Sequence, residues 1–320
     1  MKIAVVGCGA VGSYYGALLC RAGHEAHFLL RSDYDVVRRQ GLCIRSGTGN
    51  FSVSPHCATR PEEIGVSELV LIALKTTANH QFPKLLPSLV GPPTAVLTLQ
   101  NGLGNEEQLA RIVPPRQILG GLCFVCLNRL EPGLVHHLDY GRVVIGEFQR
   151  RSEPRTHHLA ALLGEAGVPC EVTEDLRRAH WEKLVWNIPF NGLGVAGVAG
   201  FVAVTSGQLP ARAPLGPVLT TDKLLAQPRW CALLRELMLE VIRAAGALGM
   251  TIPESLADTQ ISRTRTMGAY KASTLLDFEL GRPLELENLF LEPLRQARAG
   301  GTATPHLENL CRILAALDRR

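Results

Sequence analysis

Residues 2–24 read KIAVVGCGAVGSYYGALLCRAGH, and this stretch predicts a strand, a glycine turn and a helix in that order. The turn has the pattern Gly-x-Gly-x-x-Gly, formed by Gly7, Gly9 and Gly12. In dinucleotide-binding folds these three glycines permit a tight turn, the close approach of a pyrophosphate and the packing of the helix on the strand. We therefore expect a Rossmann-type domain at the start of the chain, with phosphates bound at the helix N-terminus.

The whole turn is expected to contact the cofactor. Its residues are Gly7, Cys8, Gly9, Ala10, Val11 and Gly12. A second predicted strand ends at Arg31, where an NAD-binding protein usually carries an acid that accepts from the ribose 2′-hydroxyl. An arginine cannot accept, but it can bind a 2′-phosphate with two nitrogens. Arg31 therefore favours NADP(H) over NAD(H), although a surface arginine at a strand end fits the same pattern.

Two later stretches, residues 68–75 and 94–104, read as buried strands that end near Lys75 and Asn101. Ligands of an open parallel sheet bind at the carboxyl ends of its strands, so Arg31, Lys75 and Asn101 are candidate binding residues as a group. The Asn-Gly pair at residue 101 is also typical of an ordinary turn.

From residue 174 onward the pattern is helical. The sequence therefore predicts an α/β protein, with an N-terminal Rossmann-type dinucleotide-binding domain over residues 1–173 and an all-helical C-terminal domain over residues 174–320.

The first predicted helix of the second domain contains WEKLVWNIPFN, residues 181–191. Lys183, Asn187 and Asn191 recur every four residues among apolar ones, so they lie on one helix face. A solvated face would explain one lysine, whereas a polar ligand would explain all three. Small-molecule sites are often found where two domains meet, so we expect this stripe to face the nicotinamide end of the cofactor. Pro189 is expected to kink the helix near the end of the stripe.

Composition excludes several classes of protein. With 46% apolar and 19% charged residues and a net charge of +4, the chain has neither the basic patch of a nucleic-acid-binding protein nor the composition of a disordered one. The longest apolar run, residues 188–204, is rich in glycine and shorter than the ~20 residues of a membrane span. Nine irregularly spaced cysteines without an export signal predict reduced thiols in the cytoplasm, and the pair Cys123 and Cys126 fits buried strand residues better than a metal site.

The blocks GCGAVG (7–12), QNGLG (100–104), WEKLVWNIPFN (181–191) and YKASTLLDFELGRPLELE (270–287) resemble ketopantoate (2-dehydropantoate) reductases nearly end to end. Enzymes of that family make pantoate, a precursor of pantothenate and coenzyme A, by NADPH-dependent reduction of a 2-keto acid.

The resemblance implies a role for each matching residue. Lys183 would be the general acid that protonates the ketone oxygen, with Glu285 beside it. Ser273 would bind the substrate carboxylate, and Asn187 and Asn191 would hold the other substrate oxygens. Physical reasoning alone does not choose Glu285 over its near neighbour in sequence, Glu287.

On the cofactor side, the resemblance implies that Arg31 and Lys75 meet the adenosine 2′-phosphate, while Asn101 touches both the nicotinamide-side ribose and the substrate. No metal site, nucleic acid or membrane is implied.

Three questions stay open from the sequence. The stretch at residues 192–229 is longer and richer in Gly and Pro than expected for the family, and it fits a surface insertion, a lid over the cleft or a changed substrate pocket. A reductase of another branched 2-keto acid would carry the same catalytic residues, and a non-catalytic NADP(H)-binding sensor is a further alternative. The sequence does not specify the oligomeric state, and it is compatible with a homodimer.

Overall fold

A computed structural model describes residues 1–209 and 214–319, which include every predicted site residue. The chain forms two compact units, Met1–Leu176 and Arg177–Arg320. The first unit combines a sheet with helices, and in the described part of the second unit every regular element is a helix. The predicted α/β fold class, Rossmann-type followed by helical, is therefore confirmed.

The first unit is built on a ten-stranded sheet. Its strands are β1 (Lys2–Val6), β2 (Glu25–Leu29), β3 (Leu42–Ser46), β4 (Phe51–Val53), β5 (His56–Ala58), β6 (Leu69–Ile72), β7 (Ala95–Thr98), β8 (Ile118–Glu131), β9 (Leu134–Glu147) and β10 (Cys170–Val172). The spatial order is β4-β3-β9-β8-β7-β6-β1-β2-β5, and β10 pairs with β9. The adjacent strands β7, β6, β1 and β2 run parallel, so their carboxyl ends lie at one edge of the sheet.

Helices accompany this sheet, and both of its faces are covered. The helices of the first unit are α1 (Ala10–Arg21), α2 (Tyr34–Gln40), α3 (Pro61–Ile64), α4 (Phe82–Leu85), α5 (Asn105–Leu109) and α6 (Pro154–Glu165). Ile3 and Val5 of β1 belong to one apolar cluster, whereas Ala4 and Val6 belong to another. Alternate side chains of a strand point to opposite faces, which explains why the central strands are apolar without interruption.

The two longest strands, β8 and β9, form an antiparallel hairpin. Cys123 and Cys126 lie in β8, as expected for strand residues, and no disulfide is formed within residues 1–209 and 214–319.

The second unit consists of packed helices. Their bounds are α7 (Leu176–Ala196, which begins at the last residue of the first unit), α8 (Phe201–Ser206), α9 (Thr221–Ala226), α10 (Pro228–Ala247), α11 (Ser255–Thr264), α12 (Ser273–Glu279), a π-helical turn (Glu287–Leu291), α13 (Glu292–Ala299) and α14 (Pro305–Leu317). The buried Glu240 of α10 accepts from the backbone N–H groups of His306 and Leu307 at 3.0 and 2.9 Å. These bonds cap the N-terminus of α14 and fix it against α10.

The stretch at residues 192–229 contains helices as well as irregular segments. Residues 192–196 continue α7, and α8 and α9 follow. A Cβ on Gly192 would overlap Leu310, and one on Gly194 would overlap Leu275. Gly192 and Gly194 therefore let neighbouring helices approach α7 closely. Residues 210–213 of this stretch lie outside the described residues.

Across residues 1–209 and 214–319, no helix combines the length and apolarity required to cross a membrane.

Candidate active site

The glycine turn between β1 and α1 forms a cradle with one open side. Gly7 has φ +100°, and a Cβ there would collide with the backbone of Leu74. A Cβ on Gly12 would collide with the carbonyl oxygen of Gly7. Gly9, in contrast, is exposed, and a Cβ there would meet no atom within 4 Å. The cradle is therefore closed on the protein side and open at Gly9, which fits the close approach of a pyrophosphate.

The N-terminus of α1 suits an anion, because its first turn contains no acidic residue. The Ser13 hydroxyl donates to the carbonyl of Cys8 at 3.1 Å, and the Cys8 thiol donates to the carbonyl of Leu29 at 3.4 Å. Burial, together with the Asp33 carboxylate, raises the pKa of the Cys8 thiol. Cys8 thus stays neutral and ties the turn to β2.

The three predicted strand-end residues lie in loops at the same edge of the sheet. Arg31 and Lys75 are exposed and Asn101 is half-buried. Because β7, β6, β1 and β2 are neighbours, Asn101, Lys75, the glycine turn and Arg31 follow one another along this edge. The strands end two or three residues before the predicted positions, so the three residues lie in the loops that follow the strands. Lys75, for example, precedes a 3₁₀ turn over Thr76–Gln81.

A chain of buried amides holds two of these loops in place. The Gln100 side chain donates to Asn79 Oδ1 at 2.7 Å and to the carbonyl of Leu74 at 2.9 Å. Asn79 donates to Asn105 Oδ1 at 3.0 Å, and Asn105 donates to the carbonyl of Asn101 at 3.1 Å. The loops after β6 and β7 are therefore joined beneath Lys75 and Asn101. No periodic pattern in the sequence predicts this network, because its members lie in the 3₁₀ turn after β6, in the loop after β7 and at the start of α5.

In the second unit, the polar stripe lies on α7, which continues through Pro189 to Ala196. Lys183 is half-buried, while Asn187 and Asn191 are only 8% and 3% exposed. The stripe is therefore not a solvated helix face. Two buried amides in an apolar helix require hydrogen-bond partners from the protein or from a ligand.

Asn191 has protein partners for both of its polar atoms. Its Nδ2 donates to the carbonyl of Asn187 at 3.0 Å, and its Oδ1 accepts from the backbone N–H of Thr274 at 3.1 Å. Thr274 is the second residue of α12, whose own N-cap residue, Ala272, offers no side-chain cap. Asn191 thus caps α12 from another helix and brings the stripe next to Ser273, the first residue of α12. One N–H and one oxygen lone pair of the Asn191 amide remain for a further partner.

The structure separates the two candidate carboxylates. Glu285 is only 6% exposed and precedes the π-helical turn, and its carbonyl accepts from the Leu289 N–H at 3.2 Å. The Glu287 side chain is 57% exposed and forms an ion pair with Arg295. Such π turns are frequent at functional sites, and the sequence patterns did not predict this one.

Within residues 1–209 and 214–319, no cluster of three or more His, Cys, Asp or Glu side chains could hold a metal ion.

Comparison with known proteins identifies the family. The model of the family "Ketopantoate reductase PanE/ApbA" matches residues 3–150, and the model of its C-terminal domain matches residues 214–318. The chain belongs to the ketopantoate reductase family. It is an oxidoreductase, and the resemblance inferred from the sequence blocks is confirmed.

Individual relatives match the chain along its whole length. A 2-dehydropantoate 2-reductase of Nostoc is 39% identical over 100% of this chain and 96% of its own. The crystal structure of a 2-dehydropantoate 2-reductase from Geobacter metallireducens is 44% identical, with a TM-score of 0.90 over 99% of both chains. A second such structure, from Methylococcus capsulatus, is 32% identical, with a TM-score of 0.86 over 100% of this chain and 97% of its own.

The two family models do not cover α7. The matched segments contain the glycine turn, Arg31, Lys75 and Asn101 on one side and Ser273 and Glu285 on the other. The stripe with Lys183 falls between them and is covered by the full-length relatives instead.

Proposed function

We propose that this protein reduces 2-dehydropantoate (ketopantoate) to pantoate with NADPH. The observation that carries the proposal is the match over 96–99% of the length of proteins named 2-dehydropantoate 2-reductase. The residues of both units suit the reaction. We assign cofactor binding to the Rossmann-type domain, residues 1–173, and substrate binding and proton transfer to the helical domain, residues 174–320.

The cofactor would be held by the edge of the sheet in the first unit. The glycine turn and the N-terminus of α1 would bind the pyrophosphate, because the turn is open only at Gly9. Arg31 and Lys75, both exposed cations at this edge, would bind the 2′-phosphate. Asn101 would bind the nicotinamide-side ribose and the substrate. When bound, NADPH supplies the hydride that reduces the keto carbon.

Lys183 would act as the general acid. A ketone that becomes an alkoxide needs a proton or a positive charge at its oxygen, and a half-buried ammonium offers both. Glu285 would hold this ammonium in position. Its burial, and the engagement of Glu287 by Arg295, support Glu285 as the carboxylate of the site.

Ser273, Asn187 and Asn191 would bind the substrate oxygens. Ser273 starts α12, and its hydroxyl would bind the substrate carboxylate. The cap that Asn191 provides for Thr274 would keep this end of α12 fixed relative to α7.

The decisive experiment measures the oxidation of NADPH with ketopantoate, beside NADH and a panel of other branched 2-keto acids. Efficient turnover of ketopantoate with NADPH preferred is the expected result. Turnover of another keto acid instead would retain the chemistry and reject the substrate. Tight NADPH binding with no turnover on any acid would reject the catalytic proposal in favour of an NADP(H)-binding sensor.

Arg31→Ala is expected to weaken NADPH binding by about 10- to 100-fold, because a charge-assisted pair with a phosphate is lost, and to leave NADH binding nearly unchanged. Dissociation constants for both cofactors measure the difference. Arg39→Ala, an exposed arginine on α2, is the matched control and should alter neither. Equal losses for NADPH and NADH would contradict contact with the 2′-phosphate.

Glu285→Gln is expected to lower kcat about 10- to 100-fold, since a hydrogen bond from a charged donor contributes about 1.5–3 kcal/mol. Glu287→Gln removes a carboxylate two residues away that is exposed and bound to Arg295, and it should leave kcat unchanged. Steady-state kinetics of the pair test the assignment. A larger loss in the Glu287 variant would reverse the choice.

A further inference from the structure

An acidic residue lies beside the proposed 2′-phosphate site. Asp33 follows Arg31 by two residues in the loop between β2 and α2, and it is 6% exposed. Acids in this part of a Rossmann-type domain accept hydrogen bonds from the ribose hydroxyls of NAD. By chain position alone, Asp33 would favour NAD, whereas Arg31 would favour NADP.

The Asp33 carboxylate is fully engaged by the protein. Arg129 binds it with two nitrogens, and its Nε lies 3.0 Å from Oδ2. The backbone N–H of Gly133 donates to Oδ2 at 3.4 Å, and the Ser32 hydroxyl donates to Oδ1 at 2.9 Å. A carboxylate offers about four acceptor sites, so these four donors leave no oxygen directed at a ribose.

The donors come from a distant part of the chain. Arg129 is near the end of β8, and Gly133 lies in the turn before β9. The carbonyl of Gly133 also accepts from the Cys43 N–H at 2.8 Å, which fixes the turn to β3. The β8–β9 hairpin therefore holds Asp33 from outside the cofactor-binding loops.

The charge of Asp33 reaches the cofactor cradle. Its carboxylate is one of the causes that raise the pKa of the Cys8 thiol, within the glycine turn. Without Arg129, the Asp33 carboxylate would repel a 2′-phosphate bound at this edge of the sheet. Arg129 offsets the negative charge of Asp33 by pairing with it directly.

We propose that Arg129 is a residue that determines cofactor specificity without touching the cofactor. By binding both oxygens of Asp33, it keeps that carboxylate from accepting a ribose hydroxyl and from repelling a 2′-phosphate, so that the loop presents only Arg31. This inference rests on the proposed binding of NADP(H) by the first unit.

The test is a double-mutant cycle read on two ligand pairs, NADPH with NADH and 2′,5′-ADP with 5′-ADP. Arg129→Met should weaken the two 2′-phosphate ligands about tenfold or more and leave the other two unchanged or tighter. Adding Asp33→Asn should restore the 2′-phosphate ligands to within about threefold of wild type, because the repelling charge is gone. Arg142→Met is the matched control, since Arg142 lies on the same hairpin and pairs with the exposed Glu171.

Equal weakening of all four ligands, or failure of Asp33→Asn to rescue, would show that Arg129 only supports the fold, and would overturn the proposal. If Arg129→Met does not fold, Asp33→Asn alone decides. Preserved or tighter binding of 2′,5′-ADP supports the proposal, and a tenfold loss overturns it. Failure of the cofactor proposal itself is seen separately, because wild type would then bind 2′,5′-ADP and 5′-ADP equally.

Discussion

Lys183→Ala should lower kcat by about 10²- to 10⁴-fold, the usual contribution of a positioned general acid, while the Kd for NADPH changes little. The reason is that the proposed proton donation occurs only as negative charge develops on the ketone oxygen, so the interaction is made mainly in the transition state. Steady-state kinetics with ketopantoate and a separate titration of NADPH measure the two effects.

The matched control is Lys223→Ala, which removes an exposed lysine from α9 in the same unit. It should leave kcat and KM as in wild type. If the Lys183 variant retained wild-type kcat, another group would have to protonate the ketone. If NADPH affinity fell as much as kcat, Lys183 would be a binding residue and not the acid.

Gly9→Ala should weaken dinucleotide binding at least about tenfold. It should change the free energy of unfolding by no more than about 0.5 kcal/mol. Gly9 already has an extended backbone with φ −75°, and a Cβ there meets no protein atom within 4 Å. The methyl group would instead occupy the side of the cradle that the pyrophosphate is proposed to approach.

Gly12→Ala is the contrasting variant. Its Cβ would collide with the carbonyl oxygen of Gly7, so α1 would have to move away from β1. The free energy of unfolding should fall by about 1–3 kcal/mol, the usual cost of overpacking. Denaturant unfolding beside NADPH titration separates the two glycines. A Gly9 variant that binds NADPH like wild type would show that the pyrophosphate does not lie on this turn.

Much of the first unit could be predicted because local patterns encode it. The order of strand, glycine turn and helix at residues 2–24, and the uninterrupted apolar strands, follow from short-range rules about dihedral angles and burial. The stripe of Lys183, Asn187 and Asn191 followed from helix periodicity alone. Local patterns did not predict the helices within residues 192–229. Gly192 and Gly194 resemble loop residues locally, but side chains from α14 and α12 occupy the space beside them.

The sequence by itself determined the family, the dinucleotide-type turn and the identity of the candidate polar residues, because each of these resides in a short segment. The tertiary structure decided the protein partners and the burial of those residues. It engaged Asp33 with Arg129 across 96 residues and placed Asn191 against Thr274 across 83 residues. It also buried Glu285 and exposed Glu287. The partners of a polar group depend on which distant segments fold against it, and no local periodicity records that choice.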